Sequence, residues 1–205
     1  MANLDAPFGM RPIRHRNGAP YNGAVNPYFV NSGYGTALFI GDPVDIVAGG
    51  SNTSEITVPG LGRFPIGTLP EIQASAAAGI ITGVIVSFAA QPTDLETVHS
   101  KTLTEGVALV CDDPDVIFEI QSDGIMAADE MGLNASIIVA AGSATTGLSG
   151  VELDSTTENT TAGLELKILR AVNREDNDIT LANGRMEVLI NLHRLSQGTV
   201  GRAGV

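Results

Sequence analysis

Tryptophan is absent from these 205 residues, aromatic residues make up only 4%, and there is a single cysteine, Cys111. With so few rings, stacking platforms for single-stranded nucleic acid or for sugars are poorly supplied. One cysteine cannot pair within the chain, so no intrachain disulfide framework exists. No apolar run reaches the roughly 18 unbroken residues of a membrane-spanning helix. The opening residues, Met1 to Gly9, lack a basic segment followed by an apolar one, so no signal peptide is expected. The expectation is a soluble chain made in a cytoplasm, with no membrane partner.

Positive charge is also scarce. Eleven Lys and Arg face 23 Asp and Glu, a formal net charge of −12. The imbalance is uneven: residues 1–35 carry three arginines against Asp5, residues 36–165 carry Arg63 and Lys101 against eighteen acids, and residues 166–205 carry six bases against four acids. An acidic body with weakly basic ends lacks the basic stripe that releases counterions from a duplex, which argues against a nucleic-acid partner.

Catalytic and cofactor motifs are missing as well. His15, His99 and His193 lie on separate segments, outside any HExxH, HxH or His–Cys spacing. There is no P-loop and no GxGxxG, and Gly147-Leu148-Ser149-Gly150 is one residue short of a nucleophile elbow. Cys111 beside Asp112 is a poor thiolate, because an adjacent carboxylate raises a thiol's pKa. The expectation is no enzyme, no cofactor and no metal site. A small-ligand or catalytic pocket around Cys111 or His193 is the competing possibility.

What the chain does have is punctuation. Twenty-four Gly and ten Pro interrupt stretches rich in Thr, Val and Ile, a pattern of short strands and turns. Strands are expected at 37–40, 44–47, 55–58, 80–88, 107–111 and 116–121. Leu164 to Ile168 and Met186 to Leu192 alternate apolar with other residues, as a strand buried on one face does. Asn183-Gly184 tolerates the positive φ of a type I′ turn and predicts a hairpin between 179–182 and 185–192. Short helices are expected at 71–78 and 125–131, and His193 falls on the phase facing solvent. The predicted fold is mainly β, an antiparallel barrel or sandwich, jelly-roll-like, over residues 36–205. Residues 1–35, with Pro7, Pro12, Pro20 and Pro27 and no sustained period, read as an extended N-terminal arm. Its rings and arginines cannot bury themselves, so the arm must lie on its own barrel, a sister subunit or another protein.

One stretch, Cys111-Asp112-Asp113-Pro114-Asp115, crowds three carboxylates around a proline. Pro114 suits the second position of a type I turn and Asp113 can accept a backbone N–H there, so a structural turn is predicted rather than a calcium loop, which needs six to eight oxygens and a glycine.

Several segments together carry a resemblance: Asn3 to Pro12, Asn17 to Gly23, Leu38 to Val44, Cys111 to Asp115, Leu169 to Asn177, and Glu187 to Asn191. They resemble structural proteins of tailed bacteriophages described as head decoration or cement proteins. The resemblance spans nearly the whole chain and brings no catalytic motif with it. It implies a β-rich homo-oligomer, a trimer in preference to a dimer, on the outer surface of an icosahedral capsid, clamping neighbouring capsomers of the major capsid protein. Phe8, Arg11, Arg14, Arg16, Tyr21 and Tyr28 are then the expected contacts to the capsid or to an adjacent subunit. Another virion role, in a tail tube, a head-completion complex or a fibre base, is the alternative.

Overall fold

A computed structural model describes residues 3–91, 94–95 and 98–196. The fourteen strands are β1 (Arg11–His15), β2 (Asn26–Val30), β3 (Pro43–Ser51), β4 (Ile56–Val58), β5 (Gly62–Phe64), β6 (Pro70–Ala74) and β7 (Gly83–Phe88), then β8 (Gly106–Cys111), β9 (Val116–Gln121), β10 (Asn134–Ala135), β11 (Ile137–Ile138), β12 (Glu152–Leu153), β13 (Leu166–Ala171) and β14 (Arg185–Ile190). A single 3₁₀ turn, Ala128–Glu130, is the helical content among the described residues. The fold is mainly β, with antiparallel pairing predominant, as the punctuation and alternation predict.

Two units are built from these strands. β2, β6, β3, β7 and β8 close a five-stranded barrel, and β1, β9, β14, β13 and β10 form an open five-stranded sheet. Tyr28, Val30, Val44, Ile72, Ile85, Ala108 and Val110, drawn from all five staves, pack together as the barrel's filling. A second cluster joins barrel to sheet, with Val84 and Cys111 from the barrel meeting Phe118, Ile120, Ile168, Met186 and Val188 from the sheet. The hairpin β4–β5 packs Val58 against Phe29 and Val107 as a third, smaller cluster.

The acidic turn is the hinge of this plan. β8 ends at Cys111 in the barrel and β9 begins at Val116 in the sheet, so the turn carries the chain from one unit to the other rather than closing a hairpin. Its geometry is the one expected: the Asp115 N–H donates to Asp113 Oδ1 at 2.8 Å and the Val116 N–H to the Asp113 carbonyl at 3.2 Å.

Several expectations are corrected. Residues 1–35 are extended but not an appendage: β1 pairs with β9, and β2 is a barrel stave between β6 and β8. The prolines hid this because β1 is an edge strand and Pro27, second in β2, lies outside the one registered pair with β6, positions where a missing N–H is tolerated. The segment expected as a helix at 71–78 is β6, paired with β3 on one side and, through Phe29 and Glu71, in parallel with β2 on the other. Tertiary pairing overrides helical propensity at 71–74, and the remaining alanines, Ala76 to Ala78, fall outside the strand in the connection to β7. Asn183 does adopt φ +64°, but 179–182 is not a strand; β14 pairs with β13 and β9 across a longer connection. The segment 37–40 makes only isolated bridges, Leu38 to Ser100 and Ile40 to Leu148.

Candidate docking surface

Strand parity organises the outer face of the open sheet. Side chains alternate along a strand, so Glu119 and Gln121 point opposite to the buried Phe118 and Ile120. Across the sheet, register places Arg11 beside Glu119, Glu119 beside Glu187, and Glu187 beside Arg170. The next row reads Arg14, Ile117, Leu189, Lys167. In a regular strand residues three apart would face opposite ways. The register slips once between Pro12 and Arg14 and once between Ile168 and Arg170, and each slip brings two cations three residues apart onto one face.

Two glutamates directly opposite each other repel. Each is compensated twice. Glu119 takes Arg11 Nη2 at 2.6 Å and Arg185 Nη1 at 3.5 Å, and Glu187 takes Arg170 Nε at 2.7 Å and, more closely, Arg14. Burial pushes the Glu187 carboxyl up, but Arg170 and Arg14 outweigh it and hold the group below the ordinary carboxylate range. Five cations thus share the face with two anions, although the chain as a whole is strongly acidic. Arg11 and Arg170 keep more than half of their side-chain surface in solvent.

The N-terminal segment runs along this face. The Asn3 amide donates to the carbonyls of Asp178 at 2.8 Å and Ala182 at 2.9 Å, and the Ala6 N–H reaches Gln121 Oε1. Phe8 lies under two guanidinium groups, Arg11 at 4.9 Å and Arg185 at 5.3 Å from the ring centroid. Gly9 and Gly41, at φ +69° and +96°, then let two stretches of backbone pass closely: a Cβ on Gly9 would overlap the Gly41 carbonyl oxygen, and one on Gly41 the Phe8 carbonyl oxygen.

Each of the six residues predicted from the sequence therefore has a partner within its own chain. Arg11, Arg14 and Phe8 belong to the charged face. Arg16 instead pairs with Asp115 at 2.7 Å, both about half exposed. Tyr28 is buried and donates to Asp112 Oδ2 at 2.7 Å, with Asn26 on the other carboxylate oxygen at 2.9 Å; burial and Asp112 together raise the phenol's pKa. Tyr21 donates to the Ala24 carbonyl at 2.8 Å. Sequence reasoning missed Lys167, Arg170, Arg185, Glu119 and Glu187. Alternation placed Glu187 off the core, but no local signal announces the two register slips.

The competing pocket has little to work with. Cys111 is fully buried and its thiol is pushed up to about 11, chiefly by burial. His193, expected at solvent or at an interface, is 3% exposed within its own chain. It caps the junction of barrel and sheet, where Ile81 bridges to it, and its Nδ1 accepts the Leu195 N–H at 3.1 Å. A hollow of about 370 Å³ is lined by Thr36, Phe39, Asp42, Val139 and Val151 among others, and one of about 240 Å³ by Ile40, Phe88, Leu95 and His99 among others. Neither includes Cys111 or His193. Among the described residues no group of three or more His, Cys, Asp or Glu is placed to hold a metal ion, and no helix is long and apolar enough to cross a membrane.

Comparisons with models of known protein families, with curated proteins and with solved structures found no match.

Proposed function

We propose that this chain is a non-enzymatic structural protein of a tailed-phage virion. It sits as an oligomer on the outside of the head and ties neighbouring capsomers together. The observation that carries the reading is the charged sheet face: two glutamates held by four arginines, with cations in surplus, on a chain of net charge −12. Such a face is ion-paired within the chain, partly exposed and opposite in sign to the rest of the molecule, which suits repeated protein–protein contact more than turnover of a small molecule. Contacts repeated by symmetry over many copies need not be strong singly. Leu95 and Leu148, exposed near the 240 Å³ hollow, offer apolar area for a second contact.

Cryo-electron microscopy of particles carrying the protein tests this. Density on the outside of the head at every local three-fold or two-fold axis is the expected result. Density confined to a vertex or to the tail would replace the reading with a connector or tail component. Deleting residues 1–30 is not a usable variant, because it removes β1 and the whole of the barrel stave β2.

A further inference from the structure

The arginine face has a neighbour of opposite sign on the same side of the sheet. Gln121, in register with Arg185 and on the same face as Glu119, reaches Asp5 Oδ1 at 3.5 Å and Glu152 Oε1 at 3.4 Å. Beyond it the acids continue. Asp123 follows two residues on, its N–H donating to the Leu153 carbonyl at 3.1 Å and its Oδ1 accepting the Ser155 N–H at 2.8 Å, and burial together with Asp5 and Asp123 raises the Glu152 carboxyl. These three carboxylates, Asp5, Asp123 and Glu152, have no ion-pair partner among the described residues, whereas the face next to them holds five cations against two anions. Two residues along a strand is ~7 Å, so the strip begins within one screening length of the arginine rows at physiological salt.

We propose that a second copy of this chain covers this surface, with the arginine face of each copy over the acidic strip of the other. The arrangement follows from where the patches lie. Complementary patches on opposite sides of a subunit build rings or filaments; patches side by side on one surface are satisfied together by a two-fold axis between them, because residue i then meets j and j meets i. The pairing is therefore a dimer, not the trimer that the phage resemblance implies. It rests on the face used under the proposed function, assigning it to the sister copy and leaving the remaining surface, including Leu95 and Leu148, for the head.

Sedimentation of the purified full chain tests the idea without any phage particle. The expected result is a species of twice the chain mass at low salt, with affinity falling at least tenfold as salt rises from about 0.1 M to about 1 M, where the screening length shrinks from ~10 Å to ~3 Å. Arg11→Glu/Arg170→Glu should be monomeric, and so should Asp5→Lys/Glu152→Lys; mixing the two should restore a dimer, since each reversed patch then meets its opposite. If the first variant fails to melt cooperatively, the second stands alone, because lysines in the strip relieve repulsion and touch neither Glu119 nor Glu187. A single-chain mass for the wild type at low salt, a trimer, or a dimer that survives Asp5→Lys/Glu152→Lys would each overturn the proposal. Monomers that decorate heads would remove this inference and keep the decoration role; dimers that leave heads bare would do the reverse.

Discussion

The open sheet and the closed barrel solve the same problem in different ways. The sheet buries one face and charges the other, so its stability divides between an apolar layer around Phe118, Ile168 and Val188 and an outer lattice of six charged side chains. The barrel turns its apolar residues inward on themselves and is closed by β2 lying parallel to β6 through one registered pair, Phe29 with Glu71. A two-sided sheet can present chemistry to a partner over its whole area; a small closed barrel presents it only through its outer wall and loops. The surface proposed for the sister copy is on the sheet, and the barrel packs against the sheet's other side through the cluster of Val84 and Cys111 with Phe118.

The largest expected effect sharpens the question of whether these are one cooperative unit. Phe118 is fully buried in the layer joining the two. Phe118→Ala should cost about 3–5 kcal/mol, and Ile72→Ala in the barrel about 2–5 kcal/mol. Because Val84 and Cys111 of the barrel pack in the same cluster as Phe118, both substitutions should lower a single denaturant transition. Two separate transitions, each sensitive to one substitution only, would show the barrel and the sheet folding independently.

Next comes the charged lattice. Glu119 is 5% exposed and takes two arginines. Glu119→Gln keeps its shape and removes the charge, and should cost about 1–3 kcal/mol, the lower end applying because Arg11 is largely in solvent. The barrel filling is apolar, so the salt dependence of stability should weaken in this variant and persist unchanged in Ile72→Ala. Melting both across a salt series checks the contrast.

Legibility in the sequence follows the same division. The sheet strand at 186–192 was readable because its side chains alternate between buried and half-buried, which prints a period of two, and 116–121 was readable because from Phe118 it alternates apolar and polar residue types although all six are buried. The barrel strand β6 was not: it runs into the alanines 76–78, which carry a helical propensity, and its partners lie about 40 residues away at Phe29 and about 25 away at Ile46 and its neighbours. The arm boundary failed for a related reason. Whether Asn26–Val30 is a loose segment or a stave depends on Gly106–Val110, which no local pattern reveals. Of the docking surface, the arginines of β1 were found because they sit among few other charges, and the rest depended on two register slips.

A smaller effect separates two carboxylates by sign. Glu165 is fully buried among neutral donors, Ser136 Oγ at 3.1 Å and the Ala78 N–H closer still, at the junction of barrel and sheet; burial raises its pKa above the ordinary 4.5. The folded state therefore holds the proton longer than the unfolded chain, and stability declines as pH rises from about 4.5 through the folded value. Glu187, lowered by its arginines, does the opposite: its contribution is complete above about 4.5 and is lost as pH falls through its folded value. Glu165→Gln should flatten the decline at higher pH, and Glu187→Gln the loss at acid pH. Identical pH profiles for the two variants would mean that these environments do not differ as described.

The smallest effects lie in the acidic turn that joins the two units. Asp113 accepts the Asp115 N–H with its side chain and the Val116 N–H with its carbonyl, so Asp113→Ala removes one of two bonds that set the turn and should cost about 0.5–1.5 kcal/mol. Asp115 pairs only with Arg16, both about half exposed, and Asp115→Asn should change stability by no more than about 0.5 kcal/mol. The two residues are two apart and both acidic, but Asp113 Oδ2 also lies 3.3 Å from His15 Nδ1, so both are compared in a His15→Gln background, where any difference comes from the bond to the backbone. Equal costs would mean that the turn is held by its ion pairs, and the passage from barrel to sheet would then loosen with salt; a cost confined to Asp113 makes it a backbone joint, indifferent to salt, between a charged surface and a neutral core.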